Sequence, residues 1–266
     1  MRFPGSHFLK NLVERRSLLF QMVRRDFETR FVGSAAGWLW GVIHPIVLLL
    51  SWTFVFGVCL KVPAGDGIQN YPLWLFSGFL PWLLFQDTVM RSSTSLIEQA
   101  NLVTKTVFPS EVVTLSIFLS SLVHHAIGLV LVVGAVAIWL NHISAMLVFL
   151  PIYMLVVGLF AVGIGWIVAA LHVYLRDTAQ ALAVGMTLWF WVTPIFIAET
   201  QYPSWSRLLI AANPMAYVVR GYRALLLTNH PPNFQELAIA LTFATVTFFL
   251  GGLFFRYLKR GFADVL

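Results

Sequence analysis

The longest stretch of this chain without a formal charge runs from residue 112 to residue 175, and it constrains the fold more than any other feature. These 64 residues include no Asp, Glu, Lys or Arg. A helix needs about 20 apolar residues to cross the hydrocarbon core of a bilayer, so the stretch is long enough to cross it twice. The polar tetrad Asn-His-Ile-Ser at 141–144 is the natural turn between the two crossings. The sequence therefore predicts an integral membrane protein.

The composition excludes the main soluble classes. Hydrophobic residues make up 59% of the 266 residues and charged residues only 11%, whereas soluble domains carry about 25% charged residues. A water-exposed surface for a chain of this length cannot be built from so few charges, which disfavours a soluble enzyme, a nucleic-acid binder and a disordered chain. Basic residues in cytoplasmic loops of a membrane protein explain the net charge of +6.

The positions of the charges predict an all-α protein with six membrane spans. The predicted spans are residues 33–60, 71–91, 112–140, 145–173, 178–198 and 235–257. In this arrangement 13 of the 17 Lys and Arg residues lie on the side of the two termini. Because loops rich in Lys and Arg stay in the cytoplasm, both termini are predicted to be cytoplasmic.

The first 32 residues are predicted to form a cytoplasmic amphipathic helix, and residues 33–266 the transmembrane domain. Apolar residues from Leu9 to Phe31 recur at helical spacing, and charged residues from Arg15 to Arg30 fill the other face. Such a helix lies along the membrane surface. A plain lipid anchor and a docking surface for a cytosolic partner both fit this pattern.

Two segments between spans are more than simple turns. The loop at 95–111 has an amphipathic helical pattern that suits insertion into a groove on a cytosolic protein, and an interfacial turn without a partner is the alternative. The outer segment at 199–234 is predicted to form a pair of helices too apolar to stand in water, which dips back into the outer leaflet. Asn213-Pro214 marks the start of its second helix. Arg220 and Arg223 share one face of that helix. The sequence leaves open whether they bind lipid phosphates or extend toward the membrane surface, that is, snorkel.

The chain lacks motifs for chemistry of its own. It contains no G-x-x-x-x-G-K-[ST], H-E-x-x-H or G-x-S-x-G sequence, and its one cysteine, Cys59, is predicted to be a buried inert thiol. His124 and His125 point in different directions on a helix, so no metal site is predicted. Within the spans only Asp87, near a span end, is a candidate ionisable site, whereas ion-driven carriers place such groups near the midplane. Any transport must therefore be powered by a partner.

Several short motifs occur in order along nearly the whole chain, each weak alone and fairly specific together. They are Arg30-Phe31-Val32-Gly33-Ser34, Gly37-Trp38-Leu39-Trp40, His44-Pro45, Asn101-Leu102-Val103-Thr104-Lys105, Phe108-Pro109, Arg176-Asp177, Trp191-Val192-Thr193-Pro194-Ile195, Asn213-Pro214, Tyr222-Arg223 and Lys259-Arg260-Gly261-Phe262-Ala263-Asp264. With these motifs the chain resembles the membrane subunits of type-2 ABC exporters in the polysaccharide branch. That branch exports lipopolysaccharide O-antigen, capsule or teichoic acid.

The resemblance implies a homodimer of six-span subunits in the bacterial inner membrane, with two ATPase subunits on the cytoplasmic side. ATP and Mg²⁺ would be bound by the ATPase subunits, and this chain would hold no cofactor. The cargo would be a polysaccharide on an undecaprenyl-type lipid, with O-antigen as the expected glycan, moved from the inner to the outer leaflet of the membrane.

The resemblance also assigns roles to single residues. The ATPase contacts would be Arg24, Arg25, Asp26, Glu98, Asn101 and Lys105. The cytoplasmic entrance would include Arg30, Arg176 and Asp177, although helix capping is enough to explain the last two. The outer gate would be formed by Asn213, Pro214, Arg220 and Arg223. Sugar rings would stack in the channel on Trp38, Trp40, Trp74, Trp82, Trp189 and Trp191, for which a place in the interfacial aromatic belt is the alternative.

Three other functions fit the composition less well. The permease of a drug or lipid ABC exporter shares the architecture but usually carries fewer aromatic residues. A membrane transferase acting on lipid-linked sugar would need carboxylates or a His base converging on one face, whereas the cytoplasmic acids are scattered. No feature of the sequence speaks for a structural subunit without a transport role.

Overall fold

The computed structural model describes residues 16–29, 37–65, 67–68, 70–101 and 109–265, and the regular elements in these ranges are all helical. The α-helices are α1 Arg16–Thr29, α2 Trp40–Trp52, α3 Tyr71–Glu98, α4 Glu111–Trp139, α5 Leu150–Tyr174, α6 Thr178–Val192, α7 Arg207–Ala211, α8 Pro214–Leu227, α9 Phe234–Leu258 and α10 Phe262–Val265. A 3₁₀ turn precedes α2 at Gly37–Leu39, and a π-helical segment extends it over Thr53–Cys59. Further 3₁₀ turns lie at Ala145–Phe149, Glu199–Gln201, Ser204–Ser206 and Lys259–Gly261.

The structure confirms the all-helical fold of a multi-pass membrane protein. Four helical stretches in the described residues are long and apolar enough to cross a membrane, at Trp40–Cys59, Glu111–Trp139, Ala145–Tyr174 and Phe234–Gly261. They coincide with the first, third, fourth and sixth predicted spans. At 28 residues, α3 is also long enough, but it carries Gln86, Asp87 and Arg91 in addition to several serines.

The fifth predicted span, 178–198, is longer than the helix that the structure shows there. Helix α6 has 15 residues and ends at Val192. Thr193, the residue before Pro194, has an extended backbone with ψ of 130°, because the ring of a following proline disfavours the helical conformation. Helix α3 runs into the loop predicted at 95–111 and ends at Glu98. A turn follows at Gln99, and the chain is helical again at residues 100–101, after which residues 102–108 lie outside the described residues.

Helix α3 is the centre of the bundle. It packs against α4, α5 and α8, and 19 of its 28 residues are buried. Its buried serines donate hydrogen bonds to carbonyls of their own helix, for example Ser92 to Thr88 at 2.7 Å and Ser95 to Ser92 at 2.8 Å. These bonds satisfy the hydroxyl donors without a partner helix.

Helices α5 and α9 approach each other closely. A Cβ atom added at Gly251 would lie 2.1 Å from the carbonyl oxygen of Gly163, and one added at Gly163 would lie 2.7 Å from the carbonyl oxygen of Thr247. The two backbones are therefore in direct contact, as small residues allow in membrane helices.

The ends of α4, α5 and α9 meet at one end of the bundle, together with α1. Lys259 Nζ lies 2.8 and 3.0 Å from the two carboxylate oxygens of Glu111, and Tyr174 donates a hydrogen bond to the carbonyl of Leu258 at 2.8 Å. We refer to this end, which also includes Glu98 at the end of α3, as the α1 end.

Helix α2 lies on the outside of the bundle, and none of its residues is buried. Its π-helical extension ends at Cys59, whose side chain is exposed. The prediction of a buried thiol was therefore wrong. An apolar run predicts that a helix lies in lipid or protein and not in water. It does not predict which of the two surrounds a given side chain.

Candidate functional site

Helix α1 and the end of α3 form one exposed surface at the α1 end. Arg25 donates a hydrogen bond to Gln99 at 3.4 Å, which places the two elements side by side. Four of the six predicted ATPase contacts are exposed here, namely Arg24, Arg25, Glu98 and Asn101. Lys105 lies outside the described residues. We call these four residues the α1 surface.

Asp26, by contrast, lies against the protein. Its carboxylate pairs with Arg91 of α3, with side chains 20% and 28% exposed. Arg91 also lies 3.9 Å from Asp87, which accepts a 2.6 Å hydrogen bond from the Ser121 hydroxyl of α4. This ionic chain joins α1 to both α3 and α4. A partly buried pair of this kind holds its elements in register, because separating the charges leaves each one poorly solvated.

The predicted gate residue Arg223 has its guanidinium inside the protein. The residue is 4% exposed. It donates hydrogen bonds to the carbonyls of Pro194 and Ile195, both at 2.8 Å, and to that of Trp74 at 3.3 Å. Its guanidinium carbon lies 3.5 Å from the centroid of the Trp74 ring, a cation–π contact. A phosphate-binding or snorkelling arginine would point outward, so neither sequence interpretation fits Arg223.

Asn213 joins the same elements from the other side. Its side-chain oxygen accepts hydrogen bonds from Trp189 at 2.9 Å and from the Met215 amide at 3.0 Å, and its amide group donates to Thr193 at 3.0 Å. It therefore caps α8 before Pro214, as predicted, and it also fixes the end of α6. Together, Asn213 and Arg223 form what we call the α6–α8 clamp.

Arg220 forms ion pairs with two carboxylates. It lies 2.5 Å from Glu199 and 2.9 Å from Glu236. Burial by itself lowers the pKa of Arg220, but the hydrogen bonds and charges of Glu236 and Glu199 outweigh this effect and raise the pKa. The protonated guanidinium thus links α8 to the start of α9 and to the turn at Glu199–Gln201.

The predicted stacking tryptophans fall into two groups. Trp74 and Trp82 are fully buried. Trp189 is half-buried and donates a hydrogen bond to Asn213 of the clamp. Trp40 and Trp191 are 54% and 53% exposed. Among the predicted stacking residues, these two are therefore the exposed ones in the described part of the chain, which does not include the side chain of Trp38, and the Trp191 ring stacks on Phe196 with centroids 5.1 Å apart.

The remaining predicted residues are at the α1 end or outside the described ranges. Arg176 and Asp177 are exposed between α5 and α6. Asp177 occupies the N-cap position of α6, but its side chain makes no capping hydrogen bond. Arg30 lies outside the described residues.

Four residues of these networks were not singled out from the sequence, namely Arg91, Ser121, Glu199 and Glu236. Arg91 carried a signal, because it follows Asp87 by four residues on a helix, the spacing of a favourable ion pair. Glu236 lies in the first turn of α9, where an acid is expected for electrostatic reasons alone. Ser121 and Glu199 had no local signal.

A cavity of about 510 Å³ lies between α2, α3, α4 and α6. Its polar lining includes Asp87 and Ser121 of the ionic chain, in addition to His44, Gln86, His124 and Thr187. No group of three or more His, Cys, Asp or Glu side chains in the described residues is arranged to hold a metal ion.

Comparison with known proteins places these features in a family. A model of the ABC-2 type transporter family matches residues 17–227. The O-antigen export system permease protein RfbA of Myxococcus xanthus is 26% identical over 258 residues, which cover 96% of this chain and 98% of that protein. The protein of the same name from Klebsiella pneumoniae is 27% identical, with 94% and 95% of the two chains covered. The polysialic acid transport protein KpsM of Escherichia coli is 23% identical, with 87% and 90% covered.

Proposed function

The chain belongs to the ABC-2 type transporter family, and from this membership we propose that it is the membrane subunit of an ATP-driven exporter of lipid-linked polysaccharide. The observation that carries the proposal is the similarity, over almost the full length of both chains, to permeases named for O-antigen export. These names favour O-antigen as the glycan over a drug or a simple lipid as the cargo.

We propose a six-span subunit in the bacterial inner membrane with both termini in the cytoplasm. In this topology α3 and α6 complete the set of spans, and the α1 end faces the cytoplasm. The excess of basic residues on the side of the termini supports this orientation. The 28-residue length of α3 supports a crossing despite its polar residues, because most of its surface is buried in protein.

The exposed face of α2 supports assembly of two copies around a shared passage. Trp40, Val47, Leu50, Phe54 and Val58 recur at helical spacing and are 54%, 52%, 63%, 61% and 59% exposed. On α6, Leu188 and Trp191 are similarly exposed. A stripe of this kind suits a symmetric contact between identical chains. The passage would then be lined by Trp40 and Trp191, on which sugar rings can stack.

The passage would have its entrance at the α1 end and its exit near α7 and α8. Arg176, Asp177 and the undescribed Arg30 would lie at the entrance. The α6–α8 clamp and the Arg220 ion pairs would hold the exit helices on the bundle. The cargo would be the polysaccharide on an undecaprenyl-type lipid.

ATP and Mg²⁺ would be bound by two separate ATPase subunits, since the sequence lacks a phosphate-binding loop. The α1 surface, with Lys105, would be the contact. It presents charges of both signs on two adjoining helices, which gives a protein partner a specific pattern to match.

The experiment that tests this assignment is co-purification of the chain with a co-expressed ABC ATPase subunit from the same organism. We expect the wild-type chain to retain the ATPase in detergent, and the triple variant Arg24→Glu, Arg25→Glu, Glu98→Arg to retain about tenfold less, because like charges then oppose each other across the contact. Arg207→Glu, an exposed change at the opposite end, is the matched control and should leave retention unchanged. Failure of the wild-type chain to bind the ATPase would contradict the proposed function.

A further inference from the structure

The cavity between α2, α3, α4 and α6 is polar at one end. The polar residues toward this end are His44 on α2, Gln86 and Asp87 on α3, and Ser121 and His124 on α4, and the polar lining also includes His125 on α4 and Thr187 on α6. On α2 and α4 the first group includes the lining position nearest the α1 end, and on α3 only Met90 lies nearer to it. In the proposed orientation this end of the cavity is at the cytoplasmic side.

The other end of the cavity is apolar and aromatic on the same three helices. Trp52 of α2 meets Phe79 of α3 edge to face, with ring centroids 4.6 Å apart. Gly128 of α4 lies beside Leu80, because a Cβ atom there would be 2.7 Å from the Leu80 side chain. The lining is therefore graded from polar to apolar along the helix axes, toward the middle of the membrane.

The cavity also has an open side. His44 on α2 is exposed, and Leu131 on α4 is 39% exposed. Both line the cavity, as does the exposed Thr187 on α6, so it opens to the outside of the subunit beside α2, where a molecule can enter sideways from the bilayer. Its volume of about 510 Å³ falls in the range of about 300–1,000 Å³ typical of small-molecule sites.

We infer that this cavity binds part of the polyprenyl chain of the lipid carrier, inside a single subunit. The inference rests on the proposed function and adds a site for the lipid part of the cargo, whereas the phosphate and the glycan would stay outside the cavity. A chain that enters from the cytoplasmic leaflet meets polar groups at the level of its head and apolar walls at the level of its hydrocarbon.

The walls favour a polyprenyl chain over the straight acyl chain of a phospholipid. Each isoprene unit carries a methyl branch and a double bond, which makes the chain thick enough for a wide cavity. Its π-electrons can also meet the positive edges of the rings of Trp52, Phe79 and Phe190, in the way that aromatic pairs do. A thin acyl chain would leave much of the wall without contacts.

The test uses the full exporter complex in lipid nanodiscs with a polyprenyl phosphate probe that carries a photoactivatable diazirine on its chain. We expect labelled peptides from the lining segments of α2, α3 and α4, identified by mass spectrometry. Undecaprenyl phosphate added at about ten times its Kd should suppress this label about tenfold by mass action, while the same excess of phosphatidylglycerol should not.

Leu48→Trp provides a variant that fills the cavity, because Leu48 lines it. We expect this change to lower the label about tenfold. Val130→Trp, on α4 next to the lining residue Leu131 but with its own side chain 71% exposed and outside the lining, is the matched control and should keep the label.

Label that phosphatidylglycerol displaces as well as undecaprenyl phosphate would overturn the inference in favour of an ordinary lipid cavity. Absence of label from the lining would overturn it too, as would equal labelling of Leu48→Trp and Val130→Trp. Export of the lipid-linked polysaccharide, measured on the same wild-type complex, distinguishes a failure of the cavity site from a failure of the proposed function. Export without cavity labelling removes this site and leaves the proposed function, whereas labelling without export removes the proposed function.

Discussion

Replacing Arg223 with methionine is expected to lower the unfolding temperature of the purified chain by roughly 10 °C, the effect of removing about 3–5 kcal/mol. Methionine keeps most of the apolar length of the side chain. It leaves the carbonyls of Pro194 and Ile195 without this donor, whereas the carbonyl of Trp74 keeps the 2.9 Å hydrogen bond from the Ser77 hydroxyl. Each buried carbonyl that loses its partner costs about 1–3 kcal/mol, and the contact with the Trp74 ring is lost as well.

Arg223→Lys separates charge from geometry. An ammonium group keeps the charge but cannot reach three carbonyls in the planar arrangement of a guanidinium. We therefore expect an intermediate loss of stability. Arg207→Met is the control, because Arg207 is exposed and the structure gives it no comparable bonds. Scanning fluorimetry in detergent measures all three variants, and an Arg223→Met protein that unfolds at the wild-type temperature would refute a stabilising clamp.

Replacing Gly251 with alanine is expected to destabilise the packing of α5 against α9 by about 3 kcal/mol, the upper part of the range for overpacked cores. The added methyl group would meet a backbone carbonyl oxygen at 2.1 Å. A backbone atom cannot rotate away as a side chain can, so the helices must separate and lose contacts along their length.

Gly252→Ala is a closely matched control for this prediction. The next residue on the same helix would place its methyl group 3.3 Å from the edge of the Trp166 ring, which can shift slightly. Alanine also favours helix over glycine by about 1 kcal/mol, so we expect Gly252→Ala to change stability by less than that amount. Unfolding temperature and yield of monodisperse protein report the difference. Equal behaviour of the two variants would show that the close approach at Gly251 does not limit packing.

Much of the helical framework follows from the sequence. Charge-free stretches locate the four long apolar helices, and Asn213-Pro214 predicts the start of α8, because capping and proline act within a few residues. The end of α6 at Val192 could also have been predicted, since Pro194 disfavours helix at the preceding residue. Length alone led the prediction to residue 198.

The contacts of the charged and aromatic residues could not be predicted in the same way. Helical periodicity places Asp26 on the polar face of α1, and it does not show that Arg91 lies opposite, 65 positions away. Two of the carbonyls to which Arg223 donates, those of Pro194 and Ile195, are free acceptors only because α6 ends nearby. Trp74 is buried because α3 is central to the bundle, which depends on packing between distant segments and leaves no local pattern.

The most direct measurement of the central proposal is ATP-dependent movement of lipid-linked polysaccharide in vesicles that contain the chain and its ATPase. The glycan is placed on the ATPase side, and its appearance on the opposite side is followed with an impermeant glycan-binding lectin or a glycosidase. We predict that the glycan crosses only when both subunits and ATP with Mg²⁺ are present. Crossing without the ATPase subunit, or no crossing with all components present and ATP being hydrolysed, would contradict an ATP-driven polysaccharide export subunit.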